Sequence, residues 1–284
     1  MDNRDGVLIP NLRLTQRVVT SASLVLAGSV ASLAVTRGAN AGHLYQLASP
    51  VAGSTAGDLM AIVQCVMDEC DLRAVILHVA VDGEELVTGA LGESMTGVPA
   101  TTDMRFRNGA LAISLVATLM LTLVDDGTIG LDDPIGTWLP DLPDAGTATF
   151  RMLANMTAGY RDYVQNPDFI DVLRDDPFRH FSTEDLIGYS LIQPRLFAPG
   201  ANWEYSHTNY VILGLALEAA TGEPVEQLMQ ERVLDPLGLG NTVNSATAAI
   251  HEPVLHAFTS EHREWLGIEP GKRFYEESTY WNPS

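Results

Sequence analysis

Phe106-Arg107-Asn108-Gly109 leads into ALAISLVATLMLTLV at 110–124, a stretch without a charge that stops at Asp125-Asp126-Gly127. It is too long for an ordinary strand and apolar around its whole circumference, so it predicts a helix buried on all sides. Toward the N-terminus, Arg73 to Val81 (RAVILHVAV) is a β-branched run. Asp82-Gly83 supplies a hairpin turn, and Glu85 to Ala90 a second strand. Asp58 to Met67 has helical spacing of apolar residues, with Asp58 as its cap. Toward the C-terminus comes a proline-punctuated stretch: Asp132-Asp133-Pro134, Leu139-Pro140, Leu142-Pro143. Arg151 to Met156, Glu184 to Leu191, Asn209 to Ala220 and Val225 to Arg232 then predict helices, with Gly222 and Gly238 as stops. One hairpin followed by many helices, without an internal repeat, predicts an α+β fold with helices beside an antiparallel sheet.

The 284 residues are 46% apolar and 18% charged, which is the composition of a folded chain. A formal net charge of −20 repels phosphates and anionic headgroups, so nucleic acid is not an expected partner. Lys272 is the only lysine. Residues 1–41 carry Arg4, Arg13 and Arg17, then the uncharged Val18–Val35, then Ala39-Asn40-Ala41. That order predicts a secretory leader and an exported protein; the competing reading is an uncleaved anchor, the only route to membrane attachment. Residues 42–56, rich in Ala, Gly and Ser, read as a linker ahead of a domain at 57–284. Cys65 and Cys70 are the only cysteines, and on one helix they point about 140° apart. A disulfide requires the helix to end between them; the alternative is two half-buried thiols.

Several segments together resemble the serine β-lactamase and penicillin-binding protein family, on its class C β-lactamase, DD-carboxypeptidase and esterase side. Phe106-Arg107-Asn108-Gly109 with the helix ending Val124-Asp125-Asp126-Gly127 is similar to the family's nucleophile helix. Leu131-Asp132-Asp133-Pro134 and Leu139-Pro140-Asp141-Leu142-Pro143 resemble its next loop, and Arg151 through Gly159 the helix and turn after it. Trp203-Glu204-Tyr205-Ser206-His207-Thr208-Asn209-Tyr210 resembles the second catalytic motif, and Asp235-Pro236-Leu237-Gly238-Leu239 a later loop. The resemblance implies a β-lactamase/transpeptidase-like fold and acyl transfer through a covalent serine ester.

That reaction needs a serine and a lysine at i and i+3 on one helical face, Ser-x-x-Lys, so that the hydroxyl meets a base. The resemblance places Ala110 at the nucleophile and Ile113 at the lysine. Ala110 has no attacking atom and Ile113 cannot take a proton. No Ser-x-x-Lys occurs anywhere in the chain: Ser114 has Ala117 at i+3, and Lys272 has Glu269 at i−3. Tyr205 occupies the place of the family's proton-shuttling tyrosine, while His207 stands where asparagine is usual; both read as a vestigial second motif, Tyr205 as a loop residue with a satisfied hydroxyl. The third motif, Lys-Thr-Gly or His-Thr-Gly, is absent, and the family pattern implies further strands and a helix after Ser284, so the sheet is expected to be incomplete.

Other chemistries are not supported. Gly92-Glu93-Ser94-Met95-Thr96-Gly97 is one residue too long for a nucleophile elbow and reads as a turn after a strand. His251-Glu252-Pro253-Val254-Leu255-His256 has the wrong spacing for a zinc helix, and Pro253 interrupts it. Neither a metal nor another cofactor is implied. Phe274, Tyr275, Tyr280 and Trp281 line a pocket or belong to a core without its cover. The expectation is therefore a catalytically inactive relative of these hydrolases. Its rivals are a non-catalytic module that binds peptidoglycan peptides or a protein partner, a residual hydrolase using Ser206 or Ser114, and a decayed fragment.

Overall fold

The computed structural model describes residues 56–245, 247–264, 266–272 and 274–281. The expected leader at 1–41 and nearly all of the linker at 42–56 lie outside the described residues. The described residues divide into two compact units, one formed by 56–106 with 253–279 and the other by 107–252 with 280–281. Mixed helix and sheet, as expected, is what the chain forms, and its sheets are small and open.

In the first unit, α1 (Ala56–Cys70) precedes a three-stranded antiparallel sheet of β1 (Ala74–Val81), β2 (Glu84–Met95) and β3 (Val98–Pro99) in that order. Asp82 and Gly83 both have positive φ, 52° and 83°, which is the paired left-handed geometry of a tight hairpin turn. α1 packs on β2 because two glycines let it approach. A side chain at Gly89 would meet Met60, and one at Gly92 would stand 2.0 Å from the Arg73 carbonyl oxygen. β2 runs on to Met95, so the turn expected at 92–97 is confined to Thr96 and Gly97. Its continuation is anchored by Ser94, whose buried hydroxyl donates to the Val254 carbonyl at 2.8 Å and accepts from the His256 N–H at 2.9 Å. β4 (Phe258–Thr259) and β5 (Glu276–Glu277) form a separate two-stranded ladder. α1 passes through both cysteines without ending between them, and both thiols are free and exposed rather than half-buried.

The second unit is helical: α2 (Ala112–Asp125), α3 (Phe150–Ala154), α4 (Pro167–Asp175), α5 (Thr183–Leu191), α6 (His207–Thr221) and α7 (Val225–Met229), the last continuing into a π-helical turn at Gln230–Leu234. Its core joins Leu119 and Leu123 of α2, Phe150 and Leu153 of α3, Ile212, Leu213 and Leu217 of α6, and Val233. α6 ends at Gly222, which takes φ 75° as the expected stop. Gly238 lies four residues past the π turn and stops no helix. A second cluster of Tyr163, Phe169 and Phe181 sits under α4 and α5.

The helix that organises the sequence differs from its expectation in two ways. A 3-10 turn at Gly109–Leu111 precedes α2, so Ala110 is not yet α-helical. Burial on all sides also fails: only Leu119, Met120 and Leu123 are buried, while Leu111 and Leu121 are each 47% exposed. Composition records how apolar a segment is, but which faces meet a neighbour depends on what packs there.

Candidate functional site

The sequence places its candidate residues on two elements of the helical unit. Ala110 is exposed in the 3-10 turn, and Ile113 is half-buried in the first turn of α2. Neither Asn108 nor Leu111 caps these turns with a side chain. The nearby hydroxyl is already engaged. Ser114 donates to the Leu111 carbonyl at 2.7 Å, and Thr118 donates to the Ser114 carbonyl at 2.8 Å. A serine bonded back to its own helix has no base to take its proton.

Tyr205 and His207 come together at the start of α6, their rings edge to face with centroids 5.1 Å apart at 90°. What positions them was not visible in the sequence. Asp162, with a side chain 5% exposed, accepts from the His207 backbone N–H at 3.2 Å and from His207 Nδ1 at 2.9 Å. It also accepts from the Val164 N–H at 3.3 Å. The carboxylate thus sits against the positive end of the α6 dipole and requires the imidazole proton on Nδ1. Thr208 ties the same two segments: its hydroxyl donates to the Arg161 carbonyl at 2.7 Å and accepts from the Tyr163 N–H at 3.1 Å.

Tyr205 is half-buried; its hydroxyl makes no hydrogen bond to another described residue and is not among the buried polar atoms left without a partner. Burial, and secondarily the Asp162 charge, push its phenol above the ordinary tyrosine value. Both effects disfavour the phenolate. Next to it in the chain, Ser206 is fully buried with its hydroxyl unpartnered among the described residues, and Asn209 has a carbonyl oxygen without a partner among them while its amide meets Met156 Sδ at 3.4 Å. Met156 itself holds φ 65°, an uncommon conformation for a residue with a side chain.

Two further features escaped the sequence reading. Arg195 clamps the loops around the site: Nη1 donates to the Ala158 carbonyl at 2.6 Å, Nη2 to the Pro143 carbonyl, and the guanidinium lies 3.8 Å over the Tyr160 ring. Its Nε is 3.3 Å from Asp144 Oδ2, an ion pair too oblique for a hydrogen bond. Burial pushes Tyr160 up as well. The second feature is a cavity of about 380 Å³ whose wall includes Asp162, Arg161 and Glu204. Phe274, Tyr275, Tyr280 and Trp281 line no part of it and are half-buried. Among the described residues no cluster of three or more His, Cys, Asp or Glu side chains is arranged to hold a metal. No helix among them is long and apolar enough to cross a membrane.

The sequence profile of the Beta-lactamase family matches residues 59–279. Penicillin-binding protein 4 of Amycolatopsis lactamdurans is 31% identical over 202 residues, covering 68% of this chain and 49% of that protein. The D-alanyl-D-alanine-carboxypeptidase/endopeptidase AmpH of Escherichia coli (strain K12) is 27% identical over 235 residues, covering 70% and 58% respectively. Among solved structures, the D-stereospecific amidohydrolase from Streptomyces sp. superposes with a TM-score of 0.61 at 29% identity, covering 71% of this chain and 58% of that one. The chain spans between 31% and 58% of the length of such curated relatives.

Proposed function

The chain belongs to the beta-lactamase family, and from that membership we propose that it is a member without acyl-serine chemistry, catalytically inactive as a hydrolase. One observation carries the reading: where the family pattern has its serine and lysine, this chain has Ala110 and Ile113. Acyl transfer begins with an oxygen attacking a carbonyl carbon while a base removes its proton; a methyl and a sec-butyl group do neither. Two features support it. Ser114 spends its hydroxyl on the Leu111 carbonyl, and Ser206 is fully buried, so neither substitutes as nucleophile. Tyr205 and His207 are retained as a vestige of the second motif, with Tyr205 held as a phenol rather than as a base. We further place the protein outside the cytoplasm, on the reading of residues 1–41 as a leader.

The names of the family and its relatives supply a β-lactam and a D-alanyl-D-alanine peptide to try, and acyl-serine chemistry in general adds an activated ester. Nitrocefin, a p-nitrophenyl ester and diacetyl-Lys-D-Ala-D-Ala should be consumed no faster with the chain than without it. Turnover above the blank that a fluorophosphonate abolishes would sink the proposal.

A further inference from the structure

The turn that opens α2 begins at Asn108-Gly109, the only Asn-Gly step in the sequence. Both residues are exposed, and a side chain built at Gly109 would meet nothing within 4 Å. Asn108 takes φ −83° and ψ −2°, and its carboxamide caps nothing. The Gly109 N–H likewise has no partner among the described residues. What holds Asn108 in the turn is its carbonyl, which accepts from the Leu111 N–H at 3.3 Å, a long bond for an amide donor.

An asparagine carboxamide and the next backbone nitrogen are one bond short of a five-membered ring. We propose that Asn108 is a site of spontaneous deamidation in the folded chain, with water as the co-reactant. The Gly109 nitrogen gives its proton to solvent and attacks Asn108 Cγ. The N–Cγ bond forms, the Cγ–Nδ2 bond breaks, and ammonia leaves with a proton taken back from solvent. Water then opens the succinimide: at Cγ it leaves aspartate, and at the former peptide carbonyl it leaves isoaspartate. The other described asparagines lack one requirement or another. Asn202, Asn241 and Asn244 are exposed but precede Trp203, Thr242 and Ser245, whose side chains crowd the attacking nitrogen. Asn155 spends its carbonyl oxygen on the Thr157 N–H and hydroxyl. Asn166 precedes a proline, which has no N–H, and Asn209 is fully buried. At ψ −2° the Gly109 nitrogen is turned away from the Asn108 side chain, so ring closure requires the turn to open. Opening breaks the 3.3 Å bond and forfeits no side-chain cap, which puts it at the low-energy end of local motions. The products differ in consequence. Aspartate sets a carboxylate at the positive start of the turn, beside the open Gly109 N–H. Isoaspartate lengthens the backbone by one atom just ahead of Ala110. No catalytic group takes part, so the inference stands or falls apart from the loss of acyl-serine chemistry.

Incubation of the full native chain in mildly alkaline buffer, followed by peptide mapping, tests it. The peptide containing Asn108 gains one mass unit before any other described asparagine converts, and an isoaspartate methyltransferase labels that peptide. A parallel incubation in denaturant gives the unhindered rate, and the native chain converts within about a hundredfold of it, because only the turn has to open. Asn108→Gln, whose ring would need a sixth member, removes the mass gain and the label. The proposal is overturned if Asn108 stays unmodified in the native chain or lags the denatured chain by more than that factor. It is overturned equally if another described asparagine converts first, or if mass gain and label persist at this position in Asn108→Gln.

Discussion

At the scale of single residues, Asp162 organises the site more than either residue the sequence singled out. It holds His207 by ring and backbone and the 161–164 turn by the Val164 N–H. Asp162→Asn keeps the shape but offers one acceptor and one donor, so the donor must face His207 Nδ1 and move the imidazole proton to Nε2. The expected loss is about 1–2 kcal/mol in a denaturant melt, with the tautomer change visible in the 15N chemical shifts of the ring. Unchanged shifts would show that the pair does not fix the ring. Tyr205 gives a second prediction. Its phenol is pushed above the ordinary value of about 10, first by burial and then by Asp162. Stability from the neutral phenol is therefore complete below about pH 10 and is lost as pH rises through the folded-state value. In an absorbance titration near 295 nm, Tyr205→Phe removes one late-ionising phenol, and Asp162→Asn moves the same phenol to lower pH. Neither Asp162 nor its role was legible in the chain, because the bond spans 45 positions and no local pattern links them. The Tyr205–His207 proximity was legible, since i and i+2 at a helix start are neighbours by covalent geometry.

Elements were legible where local chemistry dictates them. Asp82-Gly83 and Gly222 need left-handed backbone, and both adopt it. α4 was missed although Asn166 caps it, Pro167 opens it and Phe169, Ile170, Val172 and Leu173 are spaced for one helical face; at nine residues, ending in Asp175, it is short enough to pass for a polar loop. α2 shows the opposite failure: a strong apolar signal fixed a helix but misjudged its surroundings, leaving Leu111 and Leu121 exposed. α1 carries a prediction of its own. Because it runs through Cys65 and Cys70, the two thiols diverge on the helix surface and no bond forms without unwinding it. Ellman's reagent should titrate both thiols in the native chain without denaturant, and a value near zero that rises only after reduction would show a disulfide instead.

For the whole molecule, the family was legible from the order and spacing of several weak motifs, none decisive alone, and the profile match over 59–279 agrees. The two-unit division was not, because the first unit borrows residues 253–279 from far along the chain. A net charge of −20 suits neither nucleic acid nor an anionic surface. Across these scales the central claim concerns one position and its partner three residues on. Intact-mass spectrometry after long incubation with a penicillin, and separately with a fluorophosphonate, tests it most directly. The unmodified mass after both treatments is the predicted result; a stoichiometric acyl or phosphonyl adduct on any residue contradicts it.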